Sequence, residues 1–137
     1  MTRQFPFSSR RRRRGSTLVE AALILPLILL VTFASLEYGW MFLKQEQLVN
    51  AARQAARVGA TAFATNSQVS TQITNMMAAD GITGYTVSSY NVGVTKGSTF
   101  TITISVPYSN VRAMGGVSFF PVPTTLTGTV TMEKEGA

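Results

Sequence analysis

The stretch that decides the fold is LVEAALILPLILLVTFASLEYGWMFL, residues 18–43. Its uncharged centre, residues 21–36, is 16 residues long, or about 24 Å as helix at ~1.5 Å per residue. A bilayer core of ~30 Å asks for roughly 20 residues. Leu18, Val19 and the run from Tyr38 to Leu43 supply the missing length, which places Glu20 and Glu37 near the two boundaries. Tyr38 and Trp40 suit an interfacial aromatic belt. The stretch predicts one membrane-spanning helix over residues 16–43, with an acid near each end.

Helical patterning continues beyond it. From Lys44 to Ala64 there is no Pro and only one Gly. Leu48, Ala52, Ala55, Gly59 and Ala62 share one helix face, and Glu46, Asn50, Arg53 and Arg57 share the other. Residues 44–65 are therefore expected to be an amphipathic stem that prolongs the membrane helix to about 48 residues and about 70 Å. The apolar face is mostly Ala and Gly, which suits close docking under another element. Arg53 and Arg57 read as solvated stem residues.

Residues 66–137 change character, with Ser, Thr and Gly dominant and β-branched residues more frequent. Val69, Ile73, Met76 and Met77 predict a short helix that Asp80-Gly81 ends. The run FTITISV, residues 100–106, alternates without a break and predicts a strand. Residues 85–94 are a candidate partner strand, turning through Lys96-Gly97. Residues 125–132 alternate again, with Leu126, Val130 and Met132 on one face. The expected class is α+β: a long N-terminal helix packed on a small antiparallel sheet of three or four strands, with one short helix. This outer region has few large apolar residues, so the Ala-rich stem is expected to be part of its core.

Charge separates the leader from everything else. The 137 residues hold 12 Lys plus Arg and 6 Asp plus Glu, for a net charge of +6. That whole surplus lies in residues 1–15, where Arg3, Arg10, Arg11, Arg12, Arg13 and Arg14 have no acid among them. A nucleic-acid binder spreads its cations over a folded face, often beside aromatic platforms, so no nucleic acid is expected as a partner. Cys and His are absent, which removes thiol chemistry, disulfides, Cys/His zinc sites and imidazole-based triads. The chain reads as no enzyme, with no catalytic residues, no metal and no cofactor.

At the junction, the Arg run is followed by Gly15, Ser16, Thr17, Leu18, Val19 and Glu20, and then by the apolar helix. Thr17 and Glu20 match a capping box. The whole constellation resembles the processing site of type IV pilins and pseudopilins. VEAALILPL at 19–27 and QLVNAARQAARVGA at 47–60 resemble the TadE-like proteins of tight-adherence (Flp, type IVc) pilus systems. Pro26 favours that branch, while Ala21 stands where an aromatic often follows the Glu. STLVE at 16–20 is also similar to type II secretion pseudopilins. The resemblance implies a minor pilin or pseudopilin taking part in assembly of an adhesive pilus. It also implies cleavage between Gly15 and Ser16 by a prepilin peptidase and an assembly role for Glu20. The implied partners are that peptidase, other pilin subunits, an inner-membrane assembly platform and membrane lipid.

Gly suits such a cut because it brings no side chain and little helical commitment. The Arg run is expected to hold residues 1–15 in the cytosol, with residues 66–137 across the membrane. The resemblance implies a single-pass protein of the bacterial inner membrane with that domain in the periplasm, open to incorporation into an extracellular pilus. The rival reading is a conventional signal peptide cut after Thr32-Phe33-Ala34, releasing a small secreted binding domain. Glu37 has two readings, pairing with a neighbouring subunit's cation or resting at the headgroups. Phe119-Phe120-Pro121 reads as a loop tucked into its own domain or as a partner-binding knob.

Overall fold

A computed structural model describes residues 13–88, 90–93, 95–113 and 121–135. The first element, α1 (Arg13–Ala60), is a single helix of 48 residues that runs through Pro26. The chain divides into two compact units, with the boundary between Leu36 and Glu37.

In the first unit, described from Arg13, α1 is nearly bare. Leu23, Leu25, Leu27, Ile28 and Leu36 are among its exposed apolar side chains. Its most apolar window has a mean hydropathy of 2.3 and nothing buried against it. By length and composition this helix can cross a membrane. Thr32 and Ser35 are no exception, because each hydroxyl donates to the carbonyl one turn back, Ile28 O at 2.8 Å and Val31 O at 2.9 Å. Hydroxyls bonded in this way add little polar surface to a helix in hydrocarbon.

The second unit wraps the rest of α1. After α1 come α2 (Asn66–Ala79), β1 (Thr86–Val87), β2 (Thr99–Pro107) and β3 (Thr125–Glu133), with a short 3-10 turn at Tyr108–Asn110. The sheet is antiparallel in the order β1-β2-β3, so the α+β class and the small antiparallel sheet are as expected, with three strands. Even-numbered residues of β2 and β3 point inward: Phe100, Ile102, Ile104, Val106 and Leu126 are buried. They meet Leu48, Ala51, Ala52, Ala55 and Ala56 of α1, all fully buried, and Val69, Ile73 and Met77 of α2. Odd-numbered residues form a hydroxyl ladder outside. Thr101 bonds Thr131 at 2.8 Å, Thr103 bonds Thr129 at 3.1 Å and Ser105 bonds Thr127 at 3.3 Å.

Small side chains bring the layers close. Gly128 faces Ile104 across the sheet and lies over the α1 backbone, where an added Cβ would come within 2.6 Å of Leu48 C. At Gly59 the neighbours are side chains, Phe100 and Val69. The Ala-rich stem face is thus a floor of the core.

Two boundaries and one capping box differ from the sequence reading. The stem helix stops at Ala60 instead of reaching Ala64. Thr61 Oγ1 donates to Val58 O at 2.9 Å, and the chain turns so that Thr65 caps α2. The capping box of the described residues is Thr65 with Gln68. It is not Thr17 with Glu20, because α1 begins four residues before Thr17. The strand expected over residues 85–94 shrinks to Thr86–Val87. Ser88 N–H still reaches Thr103 O at 2.9 Å, but Tyr90 Oη and Val92 N–H then bond Asn66 at the start of α2. That competition draws the backbone off β2. The Met114-Gly115-Gly116 segment and Phe119-Phe120 lie outside the described residues.

Two buried lysines sit at helix C-termini. Lys134 Nζ donates to Gly59 O at 3.1 Å, and Glu135 N–H takes Ala60 O at 2.8 Å. Lys44 Nζ donates to Asp80 O, the C-cap of α2, at 3.0 Å. Each ammonium meets carbonyls that a helix leaves unpaired, where the macrodipole favours a cation. Lys134→Met is expected to lower stability by about 1.5–3 kcal/mol, the range for a charged hydrogen bond. Urea melts of the detergent-solubilised chain check this, with exposed Lys96→Met as the neutral control.

Candidate functional site

The residues expected at the processing site all fall at the start of α1 or just before it. Arg13 and Arg14 open the helix, and Arg10, Arg11 and Arg12 lie outside the described residues. Gly15 and Ser16 occupy the first turn, and a Cβ added at Gly15 meets nothing within 4 Å. Packing therefore gives no reason for Gly here. Backbone freedom does, because a glycine weakens a helix locally by about 0.5–1 kcal/mol relative to Ala. A protease that needs extended backbone would find this turn easier to open.

Ser16 and Glu20 are four positions apart, so they share one helix face, one turn apart. Both are exposed, and Glu20 stands among Leu18, Val19, Leu23 and Ile24, all exposed as well. Nothing among the described residues bonds the Glu20 carboxylate. A carboxylate on an apolar helix, with no partner in its own described chain, is what an intermolecular contact requires.

A second cluster lies where the outer unit begins. Tyr108 Oη donates to Glu37 Oε1 at 2.5 Å, and the Arg112 guanidinium lies 5.5 Å from the Tyr108 ring centre. Trp40 Nε1 donates to Val111 O at 2.6 Å and Tyr38 Oη to Pro121 O at 3.0 Å. Lys44 lies 5.2 Å from the Trp40 ring centre. Three residues of α1, Glu37, Tyr38 and Trp40, thus tie down the chain that follows β2. Glu37, read from sequence as a neighbour's ion-pair partner or a headgroup acid, has a partner in its own chain. The polar ends of Tyr38 and Trp40, read as belt residues, are bonded to backbone carbonyls of the same unit.

This cluster was missed because its partners come from 71 residues downstream. One signal was present. Lys44 falls in phase with Leu48, Ala51 and Ala55 on the apolar face, and a charge in that phase needs a buried acceptor.

Burial, reinforced by the neighbouring Glu37 carboxylate, pushes the Tyr108 hydroxyl up to about 12. The unfolded chain ionises its tyrosines near pH 10. A raised phenol stabilises the fold below pH 10, and that contribution is lost as pH rises from about 10 to about 12. Circular dichroism against pH is expected to show an alkaline transition in that window. Tyr108→Phe, which has nothing to ionise, should flatten this dependence while lowering stability at pH 7.

The face that joins Gly15, Ser16 and Glu20 to the stem is one continuous helix segment, and it is this segment that known proteins share. Residues 15–57 match the family model described as TadE-like protein. The match begins at Gly15, takes in Glu20 and Pro26, and ends at Arg57 within the Ala-rich stem. The matched segment is therefore the apolar helix and most of the stem, and by length and composition that helix is able to cross a membrane. No curated protein matches the chain, and no solved structure does.

Proposed function

We propose that the chain is a minor pilin or pseudopilin that takes part in assembling an adhesive Flp-type pilus and is itself no enzyme. It is the substrate of one: a prepilin peptidase cuts between Gly15 and Ser16 on the cytoplasmic side, and the apolar helix stays on the mature protein. The observation that carries the reading is the TadE-like match over residues 15–57, which spans the cut, the acid and the helix as one unit.

Topology follows from charge. Arg3 and the Arg10–Arg14 run outweigh Lys44, Arg53 and Arg57 beyond the helix, so the leader stays in the cytosol and residues 66–137 lie in the periplasm. The partners of this reading are the peptidase, sister pilin subunits, the inner-membrane platform and lipid, with no nucleic acid.

The helix argues against the signal-peptide rival. Thr32, Phe33 and Ala34 lie mid-helix in α1, with the Thr32 hydroxyl bonded back to Ile28 O. A conventional cut there would have to break α1 well inside its span. N-terminal sequencing of the mature protein is the test. A start at Ser16 is expected, and a start at Ser35 would replace this reading with a secreted domain. Gly15→Val is expected to leave the precursor uncut, because a β-branched side chain stiffens the turn and fills the space a peptidase must enter. An immunoblot comparing precursor and mature sizes checks it.

A further inference from the structure

Opposite charges stand exposed on opposite faces of the outer unit. On the outer side of α1, Arg53 and Arg57 line a shallow groove of about 400 Å³ with Asn50, Gln54, Val58 and Gln72. The groove carries on between α1 and α2 past Ser67 and Thr71. No acid lines it. Arg53 Nη1 donates only to the neutral Asn50 Oδ1, at 3.0 Å, and Arg57 has no ion-pair partner among the described residues.

Glu46, exposed on the same face of α1, lies two turns before Arg53, and two further acids are across the sheet. Glu133 ends β3 at an odd position, so it is exposed on the face that carries Thr129 and Thr131. Glu135 follows, also exposed. Their height is fixed by two bonds, Lys134 Nζ to Gly59 O and Glu135 N–H to Ala60 O. These acids therefore stand beside the last turn of α1, the turn that bears Arg57.

We propose that this surface docks a second copy of the chain, with Arg53 and Arg57 of one copy receiving Glu133 and Glu135 of the next. The charges are equal in number, opposite in sign and at one level along α1. Chains inserted the same way in one membrane hold their α1 helices parallel, so a side-by-side neighbour presents its acids at the height of the groove. The two patches differ, which makes the contact heterologous, and repetition gives open rows instead of closed pairs. Both faces are polar, Gln and Asn on the groove and Thr on the sheet. Exposed ion pairs are individually weak. Confinement to a membrane plane supplies the effective concentration that two such pairs need. The inference rests on the pilin reading only through that parallel insertion.

The chain has no Cys, so engineered thiols report without background. Full-length chains carrying Gln54→Cys and others carrying Thr131→Cys are reconstituted in the same lipid vesicles and treated with a short bis-maleimide. The mixture is expected to give a cross-linked dimer, and either chain alone to give little. Arg53→Glu with Arg57→Glu on both chains should lower the yield about tenfold through like-charge opposition. Adding Glu133→Arg with Glu135→Arg to those chains should restore it. Cross-linking of Gln54→Cys chains to one another as efficiently as in the mixture, or a yield indifferent to charge reversal, overturns the proposal. Because the vesicles hold no pilus machinery, cross-linking there with no role in pili removes the pilin reading alone. Pili built by chains that fail to cross-link remove only this contact.

Discussion

Replacing Gly128 by valine is expected to abolish the fold of the outer unit, while the same change at its neighbour Thr129 leaves it stable. A Cβ at 128 would approach Leu48 C at 2.6 Å, Leu48 O at 2.7 Å and Val49 N at 2.7 Å. All three are backbone atoms of α1, and a helix backbone cannot rotate aside as a side chain can. Relief requires lifting β3 from the helix, which opens the core cluster that Leu126 of β3 shares with Leu48 and the alanines of α1. Overpacking against movable side chains costs about 1–3 kcal/mol, and here the three nearest atoms are fixed helix backbone. A single small domain holds about 5–15 kcal/mol in all, and this one has a floor built largely of alanine. Gly128→Ala should thus lower the urea midpoint sharply, and Gly128→Val should give a chain that protease digests beyond residue 44. Thr129 points outward beside Thr103, where valine fits a strand well, so Thr129→Val separates loss of a hydroxyl bond from a backbone collision.

The same glycine illustrates what a sequence exposes and what it conceals. Alternation in residues 100–106 and 125–132 is set by the two-residue period of a strand, so β2 and β3 were legible to within a residue or two. Val69, Ile73 and Met77 step by one helical turn, and Asp80-Gly81 supplies the stop, with Gly81 at φ 63. These are local rules. Gly128 interrupts an otherwise alternating strand, a pattern that warns of close backbone approach, but only the fold shows that the approaching backbone is α1. Local pattern carries α1 past Ala60 because its last carbonyls are taken by Lys134 and Glu135, far along the chain. The partner strand was read too long because Asn66 competes with β2 for residues 90–92. In the candidate site the split is similar. Gly15, Ser16 and Glu20 are a contiguous motif on one helix and can be read directly. Glu37, Trp40 and Lys44 take their meaning from Tyr108, Val111 and Asp80, which no local pattern connects to them.

Glu20→Ala is expected to leave insertion and cleavage intact and to abolish pilus assembly. Once Gly15 is removed, Ser16 carries a free α-amino group one helical turn from Glu20, on the same face. The resemblance to pilins implies that this Glu neutralises the N-terminal amine of an adjacent subunit as helices bundle. The structure leaves its carboxylate exposed, with no described partner, on a helix whose next turn carries the exposed apolar side chains of Leu23 and Ile24. In hydrocarbon a lone carboxylate is unfavourable by about 2.5–3.5 kcal/mol even on mild insertion scales, so an unassembled subunit is expected to keep it at the headgroups. Pairing with a cation offsets that cost where the dielectric is low, and the offset arises only when a second helix arrives. The acid thus opposes burial of a single helix and favours burial of a bundle. Glu20→Asp, one methylene shorter, should assemble partially if reach matters. A role confined to capping predicts something much smaller, a helix weakened by about 0.5–2 kcal/mol with assembly unharmed. The uncut chain already starts α1 at Arg13, ahead of Thr17, so a cap at Thr17 matters only after cleavage. Immunoblots for mature protein, set beside the yield of sheared pili, decide between the two. Normal cleavage with normal pili in Glu20→Ala would remove the assembly role from this residue.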